Sequence, residues 1–128
     1  MEQAEDNSEI LLRPLVWMGD ALDNIRLFPQ EVRTAAGYAL QLVQAGETPA
    51  SAKPFKGVAS GVYEIVKRYD TDTYRAVYTV KIGEKIYVLH VFQKKPKQGI
   101  KTPQPDINLI KQRYNSHSAL QTSSINKA

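Results

Sequence analysis

Arginine and lysine side chains are concentrated in the middle of this sequence, in strand-like segments that also carry tyrosine and histidine. Arg75 lies in TYRAVYTV, and Lys95 follows the apolar run IYVLHVF, which contains Tyr87 and His90. Arginine and lysine bind phosphate oxygens, whereas tyrosine, histidine, Glu64 in VYEIVKRY or a lysine with a lowered pKa can transfer protons. Together these residue types would suffice for metal-free cleavage of RNA, in which a 2′-hydroxyl attacks the adjacent phosphate.

Strand periodicity predicts which of these side chains share a face of a sheet. Arg75 alternates with Tyr74 and Ala76, so the arginine and the two neighbours point to opposite faces. If helices cover one face, the Arg75 face stays open, and lysines at the end of the next strand extend it. Such a surface suits single-stranded nucleic acid. The alternative is a solvated sheet face, which charge alone favours because most basic surface segments simply contact water.

Other chemistries lack their usual residues. The chain has no cysteine, and His90 and His117 stand alone, without a second histidine at ligand spacing. Glycine-rich phosphate loops and a serine-hydrolase elbow are also missing from the sequence. We therefore expect neither a metal nor a cofactor.

The charge is distributed unevenly along the chain, whose formal net charge is +4. Residues 1–52 carry three arginines and eight acidic residues, whereas residues 53–101 carry eleven basic and four acidic residues. A positive segment of this kind is expected of a surface that meets phosphates.

The elements that must position these residues predict an α+β fold with a small antiparallel sheet. An edge strand in ILLRPLVWM is followed by a helix in GDALDNIRLF and a second helix from Pro29 to Gly46. Residues 47–61 read as a loop. Three strands then form a meander, VYEIVKRY, TYRAVYTVKI and KIYVLHVFQ, before a closing helix that starts at Thr102-Pro103. We expect the helices on one side of the sheet.

The domain organisation is expected to be simple. Residues 1–9 read as a flexible acidic leader, residues 10–115 as one domain, and residues 116–128 as a flexible tail. The leader has neither the composition of a signal peptide nor that of a membrane anchor, which predicts a cytoplasmic protein without a membrane partner.

The segments GVYEIVKRY, TYRAVYTV and YVLHVFQKKPKQGIKTPQPDINLIKQR resemble, in this order, the phage-derived HigB-like branch of the RelE/ParE toxin superfamily. The resemblance covers about residues 50–115. Its most specific parts are the aromatic followed by Glu-Ile, the Y-R-x-x-Y motif, the strand ending F-x-K-K and the helix start T-P-x-x-[DE]-I. A RelE/ParE-like fold is therefore expected.

The resemblance implies the toxin of a type II toxin–antitoxin system, a ribosome-dependent and metal-independent endonuclease that cleaves mRNA and inhibits translation. Its implied partners are the ribosome, mRNA and an adjacently encoded antitoxin, expected to be a helix-turn-helix protein. The predicted catalytic residues are Arg75, Lys67, Lys95, His90 and Tyr87. The predicted RNA-binding residues are Lys53, Lys56, Arg68, Lys94 and Lys97.

Two alternatives stay open at this point. The same fold occurs in ParE-like toxins that inhibit DNA gyrase by binding, and a non-catalytic basic relative would bind nucleic acid only. Some RNA-cleaving relatives have a tyrosine soon after the basic pair. Here the stretch that follows Lys94 and Lys95 contains no tyrosine until Tyr114. Tyr87 and His90 are therefore the predicted substitutes for proton transfer.

Overall fold

The computed structural model describes residues 12–95 and 101–127, with side chains described up to residue 116. The elements in this part of the chain are β1 Leu15–Trp17, α1 Ala21–Arg26, α2 Gln30–Gln44, β2 Ala52–Pro54, β3 Val62–Tyr69, β4 Asp72–Thr79, β5 Ile86–Lys94 and α3 Gln104–Lys127. The strands form one sheet in the order β1-β5-β4-β3-β2. The predicted α+β class and the antiparallel β3–β4–β5 meander are confirmed.

The sheet differs from the prediction in two details. It is mixed, because β1 lies at the edge and pairs in parallel with β5, after the chain has crossed both helices and the meander. In addition, β2 pairs with β3 inside the segment 47–61 that was predicted to be a loop. Three residues that end in a proline carry no strand pattern of their own, so only the pairing with β3 reveals this strand.

The last helix extends beyond the predicted C-terminal limit of the domain. The acidic leader, residues 1–9, lies outside the described residues. α3 continues to Lys127, past residue 115 where the folded domain was expected to end. The flexibility assigned to residues 116–128 stays a prediction. None of the described helices is long and apolar enough to cross a membrane.

α2 shows how the sequence determines one side of the fold. Val32, Ala36, Ala39, Leu40 and Val43 recur at helical spacing and are buried. Pro29 occupies the N-cap position, and Gly46 follows the helix with a φ of 90°, which favours glycine. The alanines let α2 lie close to the sheet, where α1 packs beside it.

An apolar core lies on each face of the sheet, so helices cover both faces. Ala76 and Tyr78 of β4 belong to the core under α1 and α2. Val77, which points the other way, packs in a second core with Ile110 of α3. The prediction of helices on a single side is therefore wrong, since the apolar stripe of α3 needs the opposite face of the sheet to be buried.

Arg113 fixes α3 across that second face. Its Nη1 donates to the carbonyl oxygen of Leu89 in β5 at 2.7 Å, and its Nη2 lies 3.1 Å from Asp20 Oδ1 ahead of α1. Burial acts to raise the pKa of Asp20, but the hydrogen bond and charge of Arg113 outweigh it, and the pKa is lowered. The guanidinium also packs against Gly19, whose φ of 54° and missing side chain make room for it. One side chain thus joins three parts of the fold.

Replacing Arg113 tests this anchor. Arg113→Ala should lower the free energy of unfolding by about 2–3 kcal/mol, because a buried carbonyl loses its charged donor. Urea denaturation followed by circular dichroism measures the loss. Lys111→Ala, an exposed position on the same helix, is the matched control and should change stability by less than about 0.5 kcal/mol. Equal losses for the two variants would contradict the anchoring role.

Candidate functional site

A β-bulge decides which side chains of β5 join Arg75. Val77 pairs with His90, but the next residue of β4, Tyr78, pairs with Val88, so Leu89 is an extra residue in β5. An extra residue reverses the alternation of the strand. Val88 and Val91 both face α1 and α2 in consequence, while His90 and Lys94 are brought to the Arg75 face.

Glu64 and Arg75 form a buried ion pair at the centre of this face. Arg75 Nη1 donates to Glu64 Oε1 at 2.7 Å, and the two side chains are only 11% and 8% exposed. The open, solvated Arg75 predicted from the sequence is therefore wrong. Strand alternation puts Glu64 on one face with Val66 and Arg68, but it could not show that the carboxylate and the guanidinium would meet and exclude water.

Lys94 lies on the other side of Arg75 from this carboxylate. The residue is 3% exposed, and its Nζ is buried without a hydrogen-bond partner among the described residues. Burial and then the charge of Arg75 lower the pKa of Lys94, against an opposing contribution from Glu64. The amine is therefore held close to another cation in a place with little water.

His90 completes the set, which we call the Arg75 cluster: Glu64, Arg75, His90 and Lys94. His90 Nε2 lies 2.7 Å from Asp106 Oδ1 in the first turn of α3. Its ring stacks on Phe92 with centroids 4.9 Å apart. In the described structure, His90 Nδ1 and Arg75 Nε, like the Lys94 amine, are buried without a partner.

Exposed cations border the cluster. Lys53 of β2 pairs in register with Glu64, and its Nζ lies 3.9 Å from Glu64 Oε2 while its side chain is 61% exposed. Arg68 of β3 is exposed and lies opposite Thr73, which in turn lies opposite Lys94. Lys53 and Arg68 therefore share the face of the cluster, at its rim.

Three predicted catalytic residues are not brought to Arg75. Lys67 points to the opposite face, where its Nζ lies 3.6 Å from Glu31 of α2. Lys95 is exposed and lies 3.4 Å from Asp72 at the start of β4. Tyr87 is buried in the second core opposite Thr79, four residues or about 13 Å along β4 from Arg75. Their catalytic roles stay predictions that this geometry does not support.

The remaining predicted positions are peripheral. Lys56 is exposed in the turn that follows β2, and Lys97 lies outside the described residues. The sequence named Glu64 as a possible proton-transferring residue but did not place it among the predicted site residues, whereas the structure puts it in direct contact with Arg75. Within the described residues, no group of three or more acidic or histidine side chains is placed to hold a metal ion.

Comparisons with known proteins give one family and one similar structure. A family described as phage derived protein Gp49-like (DUF891) matches residues 23–115, which include the whole Arg75 cluster. This match confirms the predicted resemblance to a phage-derived family. No curated protein matches the sequence. The free form of an Escherichia coli toxin RelE double arginine-to-alanine mutant is 21% identical, covering 70% of this chain and 88% of its own, with a TM-score of 0.49.

The buried amine predicts a specific dependence of stability on pH. Below the lowered pKa of Lys94, the folded protein pays the full cost of a charged buried amine. As the pH rises from there toward 10.5, the unfolded chain keeps a proton that the folded chain releases, so folding becomes relatively more favourable. The wild-type protein should thus gain stability relative to Lys94→Met as the pH rises.

Urea denaturation of both proteins between about pH 7 and pH 10 measures this gain. Lys94→Met should be at least as stable as the wild type at neutral pH, because methionine fills a similar volume without burying a charge. Lys95→Met, a change at the exposed neighbour, controls for the loss of one lysine and should track the wild type. A constant difference between wild type and Lys94→Met at every pH would rule out the lowered pKa.

Proposed function

This chain belongs to the phage-derived Gp49-like family, and on that premise we propose that it is the toxin of a type II toxin–antitoxin system that cleaves mRNA on the ribosome. The substrate is single-stranded RNA, and the reaction requires no metal ion. The Arg75 cluster is the proposed active centre, since it combines phosphate-binding and proton-transferring groups on one face of the sheet.

The observation that carries this proposal is an excess of buried positive charge. Arg75 and Lys94 contribute two cations, and Glu64 contributes one anion. A buried charge without a counterion costs several kcal/mol, so the set favours binding of one more anion. Three buried nitrogen atoms of the cluster have no hydrogen-bond partner among the described residues: Arg75 Nε, His90 Nδ1 and Lys94 Nζ. A phosphodiester brings one negative charge and the oxygens to accept hydrogen bonds.

The cluster can carry out the first half of an RNA cleavage. The planar guanidinium of Arg75 binds two phosphate oxygens and stabilises the charge that develops on them. Glu64, which already accepts a hydrogen bond from Arg75, takes the proton of the 2′-hydroxyl as its oxygen attacks phosphorus. The products are a 2′,3′-cyclic phosphate and a fragment that begins with a 5′-hydroxyl.

Access to the centre follows from the rim. The side chains of the Arg75 cluster are nearly covered, so RNA would reach them past the exposed rim, where Lys53 and Arg68 would contact neighbouring phosphates. Salt weakens such contacts, so binding should weaken with ionic strength. The ribosome would present the mRNA extended, with its bases unstacked. We place this activity in the cytoplasm.

An antitoxin is the proposed regulating partner. A small helix-turn-helix protein encoded next to this chain would cover the cationic face through an acidic or amphipathic segment. Its negative side chains would compete with RNA for Lys53 and Arg68. The protein would thus be inactive while the complex persists.

Arg75→Lys tests the proposed activity while keeping a positive charge beside Glu64. Arg75→Ala would instead remove the buried ion pair and destabilise the fold. Expression of the wild type should arrest growth and create new 5′ ends inside reading frames, detected by primer extension. Arg75→Lys keeps one positive charge but loses the planar fork, and should reduce cleavage by about 10²-fold or more. Its thermal midpoint verifies folding.

The same substitution at an exposed site provides the control. Arg33→Lys on the outside of α2 should leave both growth arrest and cleavage as in the wild type. Growth arrest with intact transcripts and inhibited supercoiling by purified DNA gyrase would replace RNA cleavage with the gyrase alternative. Harmless expression with salt-sensitive binding alone would indicate a non-catalytic basic relative.

A further inference from the structure

Lys94 occupies a position that an electrostatic role alone does not explain. A lysine that only attracts phosphate functions best at the surface, charged and solvated, as Lys53 does at the rim. Lys94 is instead withdrawn from water, and its Nζ has no partner among the described residues. The burial of Lys94 is unfavourable for stability, and the next residue, Lys95, is an exposed lysine that could supply a positive charge without it.

The sheet register places Lys94 and Glu64 on opposite sides of Arg75. Phe92 of β5 and Val66 of β3 are the direct register partners of Arg75. Lys94 lies two residues beyond Phe92, toward the Thr73 end of β4, whereas Glu64 lies two residues from Val66, toward Val77. Such diagonal neighbours have side chains within reach of a shared ligand. A phosphate held by Arg75 therefore has the carboxylate on one side and the amine on the other.

In-line cleavage of RNA requires this opposition, because the attacking and leaving oxygens lie on opposite sides of phosphorus. We propose that Lys94 is the general acid of the RNA cleavage, donating its proton to the leaving 5′ oxygen, an inference that rests on the proposed function. The bond between phosphorus and the 2′ oxygen forms while the bond to the 5′ oxygen breaks. Glu64 gains the proton of the 2′-hydroxyl, and Lys94 loses one to the 5′-hydroxyl product, so that no other reactant is consumed.

The other candidate acids are less well placed. The Nε2 of His90 is already hydrogen-bonded with Asp106 of α3. Tyr87 lies in the apolar core away from Arg75. Lys95 is exposed and close to Asp72. The lowered pKa of Lys94 adds support, because an ammonium group gives up its proton more readily as its pKa approaches the pH of the reaction.

A change of leaving group separates proton donation from charge stabilisation. Two synthetic mRNAs on programmed ribosomes would carry either the normal 5′ oxygen or a 5′ sulfur at the cleaved phosphate. Sulfur leaves as a thiolate and needs no proton. Lys94→Met should slow cleavage of the oxygen substrate by about 10²-fold or more and that of the sulfur substrate by less than about 10-fold. Arg75→Lys should slow both substrates alike, since phosphate binding serves either leaving group.

Matched variants keep the result interpretable. Lys85→Met removes an exposed lysine just before β5, outside the proposed site, and should leave both rates near those of the wild type. Lys94→Gln provides a second, polar replacement, and thermal midpoints of both Lys94 variants establish folding. Equal slowing of both substrates by the Lys94 variants, or no slowing of either, overturns the acid role. A wild type that cleaves neither substrate overturns the proposed function itself.

Discussion

The β-bulge at Leu89 determines which side chains of β5 face Arg75. A strand without it would place His90 on the same face as Val88, under α1 and α2, and the two cores would no longer match their helices. One extra residue lets the first half of β5 serve the parallel edge pairing with β1 while the second half turns its polar side chains toward Arg75. Arg113 holds the bulge through the carbonyl of Leu89, so the position of α3 and the register of the site are linked.

The charged interior is costly, and its cost is informative. A buried pair such as Glu64 and Arg75 contributes little net stability, because desolvation offsets much of the attraction. Adding Lys94 makes the balance worse, since the charge of Arg75 repels it while Glu64 opposes that repulsion. Apolar residues at these three positions would pack as well without burying charge. Arrangements that are costly for the fold tend to lie where an enzyme binds charge in its substrate.

The sequence predicted most of the fold because its patterns are local. Helical spacing gives α2, and alternation between short breaks gives the β3–β4–β5 meander. Ordered motifs gave the family, which the match over residues 23–115 confirms. β2 and the parallel pairing of β1 escaped prediction, because both depend on strands that are distant along the chain.

The site was less predictable for the same physical reason. Its membership depends on register, and simple counting along KIYVLHVFQKK cannot reveal the bulge. Their charge made Lys94 and Lys95 look alike in the sequence. The structure distinguishes them, because Lys94 is buried whereas Lys95 is exposed beside Asp72. Lys67 could bind phosphate, but strand alternation points its side chain to the opposite face of the sheet, toward α2.

The burial of the Arg75 cluster also affects how a partner could inhibit this protein. α3 lies over the same face as the cluster and is tied to it by His90 and Asp106, and to the bulge by Arg113. Both contacts are polar, and the buried side chain of Ile110 holds α3 against the same face. An acidic partner would meet the rim first, at Lys53 and Arg68, and would add negative charge where the cluster lacks it. An acidic partner bound there would offset the uncompensated positive charge of the fold and would occupy the place of a phosphate at the same time.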